Sequence, residues 1–286
     1  FDLRKQRHNL LATLDRRPEA YHDEVLVGPG NARSIIDPSQ LATFKQEGLD
    51  KKIQYDTNRR KSCIDHFFDV DASVADIISG TAMERGDFAT GSYEASIRRN
   101  PDRMQVLLSR KGNVWGIPLT LSKAITLSAG SDTVEIGYRL EDLPENFCQH
   151  LAIEFNFAGL PAGTTGRCFR NKEGLDLGHL GTPLDLKETS HLCLEDDWLD
   201  IRATLNCSVA SNGGHAGFWT FPIESVSQSE GGFELIHQST VVIPHWIVTP
   251  DSSGCWQVGM KLSVGGLAEY VDTIGQTKKS VRISHK

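Results

Sequence analysis

A strict alternation of apolar and polar residues, which begins near residue 90, is the feature that most constrains the fold. It is seen at 117–121, 133–140, 151–157, 199–205 and 256–264. A two-residue period places successive side chains on opposite faces of a strand, and the polar face of such a strand stays in water. The pattern therefore predicts antiparallel strands with one buried face.

Turn residues separate these predicted strands, and no helical pattern lies between them. Clusters of Gly, Ser, Asn, Asp and Pro occur at 129–132, 161–163, 211–214 and 252–254. Strands joined by turns are typical of two packed antiparallel sheets rather than of a parallel α/β sheet. We therefore predict a mainly β fold, one large antiparallel β-sandwich over residues 86–286.

The first 85 residues have a helical rather than a two-residue period. Four leucines share one helical face: Leu3, Leu10, Leu11 and Leu14. A second short helix is predicted to begin after Asp37 or Ser39 and to run through Gln46, and a third is predicted from 73 to 79. Residues 1–85 are thus predicted to be a short helical segment that precedes the sandwich.

Charge and hydropathy exclude two classes of partner. Thirty Lys and Arg against thirty-seven Asp and Glu give a net charge of −7, which does not favour a surface that binds phosphates. No apolar run approaches the roughly 18 residues that a membrane-spanning helix needs. We expect neither nucleic acid nor a membrane as a partner.

The six cysteines are widely spaced, and no two form a CxxC pair. This spacing is typical of neither a zinc site nor a small disulfide-bonded domain. It predicts reduced thiols and a cytoplasmic location. Because the chain begins with Phe1 and carries no recognisable leader, we expect it to be a piece of a longer protein.

No local motif for phosphate, dinucleotide, nucleophilic serine or zinc chemistry occurs in the chain. The acidic cluster Asp196, Asp197 and Asp200 lacks the spacing and the glycine of a calcium loop. We therefore predict no cofactor and no metal site, and we assign no catalytic residue.

Aromatic and hydrogen-bonding residues are densest at 217–246, which is the pattern that a carbohydrate-contacting surface requires. Five residues are candidates for binding carbohydrate: Trp198, Trp219, Glu224, His245 and Trp246. Glu154 and Asn156 are expected on the exposed polar face of their strand. The competing interpretation is that a given tryptophan of a sandwich belongs to the core.

Six stretches are distinctive when they are taken together and in this order: RRKSCIDHFF (59–68), LSKAITLSAGSDTVEIGYRL (121–140), LAIEFNFAG (151–159), DDWLDI (196–201), FPIESVSQSEGGFE (221–234) and PHW (244–246). They resemble the C-terminal region of α-amylase and 4-α-glucanotransferase enzymes of glycoside hydrolase family 57. The resemblance covers about residues 55–265, and the stretch 221–234 is the most specific part of it.

The resemblance implies a supersandwich of the galactose mutarotase type. It also implies an α-glucan or oligosaccharide ligand and an N-terminal catalytic barrel, with a Glu nucleophile and an Asp acid, in the same parent chain. No motif of that barrel occurs before residue 59. We therefore expect the purified chain to lack glycosidase and transferase activity. Turnover of maltoheptaose that is lost in Glu224→Gln would contradict this expectation.

Three other interpretations remain open on the sequence. A free-standing sugar epimerase of the mutarotase type would need a general base and a general acid, for which Glu224 with His245 or His191 are candidates. A pair of glycosidase carboxylates, Glu224 with Glu230 or Glu234, would have to meet across a hairpin. A purely structural module would need none of these residues.

Overall fold

The computed structural model describes residues 11–34, 41–158 and 162–267. The strands are β1 (Ile64–Phe68), β2 (Glu94–Arg99), β3 (Arg103–Val114), β4 (Ile117–Ser128), β5 (Thr133–Glu141), β6 (Gln149–Phe157), β7 (Arg167–Arg170), β8 (Asp176–His179), β9 (Leu184–Leu186), β10 (His191–Asp196), β11 (Ile201–Cys207), β12 (Gly217–Ser229), β13 (Gly232–Val248) and β14 (Trp256–Gly265). The helices are α1 (His22–Val27), a 3-10 helix (Leu49–Lys52) and α2 (Val74–Ser79).

Two sheets form the sandwich. The smaller sheet has the strand order β1-β6-β13-β12-β9, and the larger has the order β2-β3-β4-β5-β14-β11-β10-β7-β8. Every pair of neighbouring strands is antiparallel. The predicted mainly β fold, a large antiparallel sandwich, is confirmed. Its relation to galactose mutarotases stays a prediction.

The main core lies between the two sheets and is built by the alternating residues that the sequence pattern identified. Ile136, Tyr138 and Leu140 of β5 are buried there, whereas Gly137 and Arg139 face away from it. Each large apolar side chain buried in this way contributes about 1.5–3 kcal/mol to stability. The five alternating segments correspond to β4, β5, β6, β11 and β14.

Two smaller clusters lie on the outer face of the smaller sheet. In one, Trp219 and Phe221 of β12 pack with Ile77 of α2. In the other, Phe233 of β13 packs with Val25 and with other residues of the N-terminal segment. This sheet is therefore buried on both faces. As a consequence, Glu154 and Asn156, expected in solvent, are buried, because the N-terminal segment covers them.

Helix α2 confirms the third predicted helix. The Ser73 hydroxyl accepts the Asp76 backbone N–H, and the Asp76 carboxylate accepts the Ser73 backbone N–H, which forms a capping box. Gly80 ends the helix in the left-handed conformation, with φ 72°, which glycine adopts without the penalty of a Cβ atom.

The rest of the first 85 residues differs from the predicted helical segment. Leu11 and Leu14 form β-bridges to Phe157 and Arg60 instead of a helix. The Ala12 N–H bonds to the Asn156 carbonyl of β6, and Leu14 and Arg60 exchange two backbone hydrogen bonds. Residues 41–46 are not helical, and β1 is part of the smaller sheet, so the sandwich begins before residue 86. The predicted residues at 1–10 and 35–40 lie outside the described residues.

Candidate functional site

The segment IDHFF forms β1, an edge strand of the smaller sheet, and its side chains alternate between two environments. Asp65 and Phe67 point into the main core, whereas His66 and Phe68 lie on the outer face. Because a strand has a two-residue period, consecutive charged residues here serve two different clusters.

The inner cluster surrounds the Asp65 carboxylate, which is fully buried. Lys123 Nζ lies 2.5 Å from Asp65 Oδ2 and also donates to the Cys63 carbonyl at 2.7 Å. The hydroxyl groups of Tyr93 and Tyr138 donate to Asp65 at 2.5 and 2.8 Å. Burial and the nearby Asp65 charge raise the pKa of both tyrosines, so they remain protonated donors. The cluster ties β1 to β4 and β5 of the opposite sheet.

The outer cluster surrounds the buried Glu154 carboxylate of β6. Arg60 Nη1 and Asn156 Nδ2 donate to it at 3.0 and 2.7 Å. His66 Nε2 lies 3.4 Å from Glu154 Oε2, and its Nδ1 lies 2.7 Å from Glu84 Oε2. Burial would lower the pKa of His66, but the two carboxylates outweigh it and raise that pKa to about 10. His66 is therefore an imidazolium at neutral pH.

The outer cluster continues into the N-terminal segment. Asp56 accepts Arg60 Nε at 2.8 Å and Arg16 Nη2 at 2.7 Å, and its side chain is almost fully buried. Burial opposes ionisation of Asp56, but the two guanidinium groups hold the pKa of Asp56 below its ordinary value. The backbone N–H of Ala12 adds a bond to the carbonyl of Asn156 in β6 at 3.0 Å. Charge and backbone contacts thus fasten this segment to the smaller sheet.

Trp198, a predicted carbohydrate contact, lies in the turn between β10 and β11 and is 78% exposed. Asp196 Oδ1 accepts its backbone N–H at 3.0 Å, and Arg167 Nε donates to Asp196 Oδ2 at 2.7 Å. The Arg167 guanidinium lies 5.8 Å from the centre of the indole ring. One oxygen of Asp196 therefore stabilises the turn, and the other pairs with Arg167. The turn leaves the indole of Trp198 exposed to solvent.

Trp219 and His245 form a stacked pair on the outer face of the smaller sheet, with ring centres 3.9 Å apart. His150 lies edge-on to both rings, at 5.2 Å from each. Burial, with smaller effects of His150 and Lys187, lowers the pKa of His245 to about 3, so the imidazole stays neutral. Trp219 is 1% exposed and offers no ring face to a sugar in this structure.

Trp246 follows His245 in β13 and therefore lies on the opposite face of the strand. It is 1% exposed and packs in the main core, with its ring 6.0 Å from that of Trp256. Of the three predicted tryptophans, only Trp198 has an exposed ring.

Glu224 lies at a β-bulge in β12, and its carboxylate is 3.3 Å from Lys52 Nζ. His245 pairs with Gly217, seven positions along β12 from Glu224, which corresponds to about 23 Å at the rise of a strand. Glu224 and His245 therefore do not form the acid–base pair considered for an epimerase. His191 lies on β10 of the other sheet, where its Nδ1 contacts Asn206.

The glycosidase pair of Glu224 with Glu230 or Glu234 is not assembled either, since Glu230 lies in the turn after β12, six positions along the chain from Glu224. Glu234 pairs in register with Ser227, three positions from Glu224, which corresponds to about 10 Å. Its carboxylate lies 3.0 Å from Lys45 Nζ, so Glu234 and Glu224 bind different lysines of the N-terminal segment. A retaining mechanism needs its two carboxylates about 5–5.5 Å apart.

Trp115, which is not among the five predicted residues, is a half-exposed indole in the turn between β3 and β4. Arg85 stacks on its ring at 4.1 Å, and Asp69 accepts its Nε1–H at 3.0 Å. The Trp-Gly dipeptide directly before the alternating segment 117–121 was the signal that could have identified this turn. A separate groove of about 560 Å³ on the outer face of the larger sheet is lined partly by Ala124, Gly137 and Gly259, and contains none of the five predicted residues.

In residues 11–34, 41–158 and 162–267, no three His, Cys, Asp or Glu side chains are grouped so that they would hold a metal ion. Over the same residues, no helix has both the length and the apolar character that crossing a bilayer requires.

The two face-packed antiparallel sheets define the chain as a β-sandwich domain. The hairpin β12–β13 and strand β1 carry several of the sequence stretches that resemble α-amylase and 4-α-glucanotransferase enzymes. The chain belongs to the family whose model, described as "Alpha-amylase/4-alpha-glucanotransferase, C-terminal", matches residues 1–260.

Longer proteins of this family contain the same region. The chain is 24% identical to "Alpha-amylase 1" of Dictyoglomus thermophilum over 92% of its length, and 23% identical to the "4-alpha-glucanotransferase" of Thermococcus kodakarensis over 85%. It spans only 37% and 34% of those relatives. The crystal structure of the 4-alpha-glucanotransferase from Thermococcus litoralis superposes with a TM-score of 0.61 and 19% identity, over 89% of this chain and 32% of that one.

Proposed function

We propose that the chain is the C-terminal β-sandwich of an α-glucan-processing enzyme of the glycoside hydrolase family 57 type. In this proposal it supports a catalytic domain of the same parent protein and has no catalytic residues of its own. The names of the relatives support an α-glucan substrate, and their length leaves room for a separate catalytic domain.

The observation that carries this proposal is the buried attachment of the N-terminal segment. In an enzyme of this kind, residues 11–63 would connect the catalytic domain to the sandwich. Arg16, Asp56, Arg60 and Glu154 fasten that segment through a chain of ion pairs, which would hold the two domains in one orientation. A flexible linker would instead be rich in Gly, Ser or Pro and make few such contacts.

Replacing Asp56 with Ala tests this role. The variant leaves the guanidinium groups of Arg16 and Arg60 without their shared carboxylate, and breaking a buried pair costs about 3–5 kcal/mol. We expect faster amide exchange in residues 11–60 and unchanged exchange in β3–β5. In the parent enzyme, we expect activity on maltoheptaose to be lost at a lower temperature.

The matched control is Asp15→Ala in the same segment. Asp15 pairs with Arg17 at 2.6 Å, but the arginine is mostly exposed, and such surface pairs contribute about 0–1 kcal/mol. Asp15→Ala should therefore behave like the wild type. If Asp56→Ala frees the segment but leaves the inactivation temperature of the parent enzyme unchanged, the segment does not couple the two domains.

Trp198 supports a second role, contact with the glucan itself. Its indole is exposed, and Asp196 fixes the turn that presents it, so little conformational entropy is lost when a sugar stacks on it. We expect maltoheptaose to bind this chain with millimolar to micromolar affinity, about 4–8 kcal/mol. In Trp198→Ala we expect that affinity to fall at least severalfold while stability changes by less than about 0.5 kcal/mol. NMR titration with maltoheptaose measures the affinity of the wild type and of Trp198→Ala. Equal affinities would contradict a contact between Trp198 and the glucan.

A cytoplasmic location is also proposed. All six cysteines are free thiols, and burial raises the pKa of Cys63 to about 12 and those of Cys168 and Cys193 to about 11. Unpaired cysteines are typical of proteins in reducing compartments. Fractionation of cells that express the parent protein tests the location.

A further inference from the structure

Strand β2 is an edge strand of the larger sheet, and all six of its residues are exposed. Among the described residues, only β3 pairs with it. Its other side therefore presents a row of backbone N–H and C=O groups to which a further strand can bond. No proline interrupts the strand, and its pairing with β3 has no bulge.

The inner face of this edge extends beyond the smaller sheet. Ile97, Val106, Ile125 and Ile136 lie side by side across β2, β3, β4 and β5. Ile136 is 3% exposed and Ile97 is 56% exposed. Strand β1, the edge of the smaller sheet on this side, reaches β4 and β5 through Asp65. The β2–β3 hairpin thus carries apolar side chains that the sandwich itself leaves uncovered.

The sequence of β2 is complementary to itself. A twofold axis perpendicular to the sheet makes two copies of a strand antiparallel and keeps their inner faces on the same side. Residues on the same face then oppose each other. With Ser96 on the axis, Glu94 of each copy lies opposite Arg98 of the other on the outer face, and Ala95 lies opposite Ile97 on the inner face.

We propose that β2 pairs with β2 of a second copy of this chain, which joins the two larger sheets into one continuous sheet. Two ion pairs and two apolar pairs form across the axis, and opposite charges at facing positions stabilise antiparallel pairs. Within the described part of the chain, neither Glu94 nor Arg98 has an ion-pair partner. In the antiparallel arrangement, the charges of β2 are complementary to those of a second copy of β2. In-register parallel pairing of the two copies would instead place Glu94 opposite Glu94.

Charge reversal tests the proposal without affecting the core, because both side chains are exposed. Analytical ultracentrifugation of the chain at up to about 100 µM should show a dimer, since an affinity in the micromolar range is enough to populate it. Glu94→Arg and Arg98→Glu each place like charges opposite each other across the axis. We expect each to weaken the dimer at least about tenfold, because like-charge contacts at interfaces are unfavourable.

The double variant Glu94→Arg with Arg98→Glu restores the two ion pairs in reversed order and should restore the dimer. A wild-type chain that remains monomeric at about 100 µM would overturn the proposal. A dimer that withstands both single charge reversals would place the interface elsewhere and overturn it as well. None of these outcomes bears on the proposed role in an α-glucan enzyme.

Discussion

The Asp65→Ala variant is expected to lose about 3–5 kcal/mol of unfolding free energy, because it leaves the Lys123 ammonium buried without its counter-charge. Asp65 and Lys123 are 0% and 5% exposed, with 2.5 Å between Nζ and Oδ2. The hydroxyl groups of Tyr93 and Tyr138 lose their acceptor at the same time, and an unpartnered buried donor has its own cost. Urea denaturation at pH 7 measures the loss.

Two controls separate the buried charge from the loss of any ion pair. Glu135→Ala removes an exposed pair with Lys261, in which Nζ and Oε1 lie 2.8 Å apart, and should cost no more than about 1 kcal/mol. Asp65→Leu combined with Lys123→Met removes both charges and should be more stable than Asp65→Ala. A loss below about 1 kcal/mol in Asp65→Ala would mean that Lys123 reaches water, and so would contradict the buried cluster.

Stability is expected to fall as the pH rises from about 6.5 to about 10 because of His66. The pKa of His66 is raised to about 10 in the folded chain, whereas an unfolded histidine titrates near 6.5. Between these values the folded state binds one more proton than the unfolded state, so this stabilisation is complete below about pH 6.5 and is lost by pH 10. The slope from one such group is at most about 1.4 kcal/mol per pH unit.

His66→Gln is the control for this dependence, since it keeps a hydrogen-bonding side chain but does not titrate. The difference in unfolding free energy between wild type and variant should shrink steadily from pH 6.5 to pH 10. Other groups that titrate in this range contribute to both proteins and cancel in the difference. A difference that does not change with pH would show that His66 is neutral in the folded chain.

The two clusters also explain why the stretch RRKSCIDHFF is distinctive. Arg60 and His66 bind the Glu154 carboxylate on one face of the smaller sheet, and Asp65 binds Lys123 on the other. The segment contains several charged residues because it contributes to two separate buried clusters, one on each face of the smaller sheet. The sequence shows the charges, but their partners lie at positions 84, 123 and 154, and only the sheet order brings these together.

The local sequence pattern was enough to predict strands β4, β5, β6, β11 and β14, the helix at 73–79 and the inward face of β5, because each depends on neighbours within a few residues. It did not predict the environment of the outer face of β6. The polar residues Glu154 and Asn156 indicated solvent, yet the N-terminal segment covers them and supplies Arg60 and the Lys61 carbonyl as partners.

The predicted carbohydrate contacts depended on information that periodicity does not contain. His245 and Trp246 are neighbours in sequence but lie on opposite faces of β13, and Glu224 lies about 23 Å along the hairpin from His245 at the rise of a strand. Likewise, the apolar period of Leu11 and Leu14 suits a helix, but Leu11 forms a β-bridge to Phe157 of β6 and Leu14 forms one to Arg60. The strand register and the long-range hydrogen bonds determine where these side chains lie. Both join residues that are far apart in the chain, and together they outweigh the local preference for a helix.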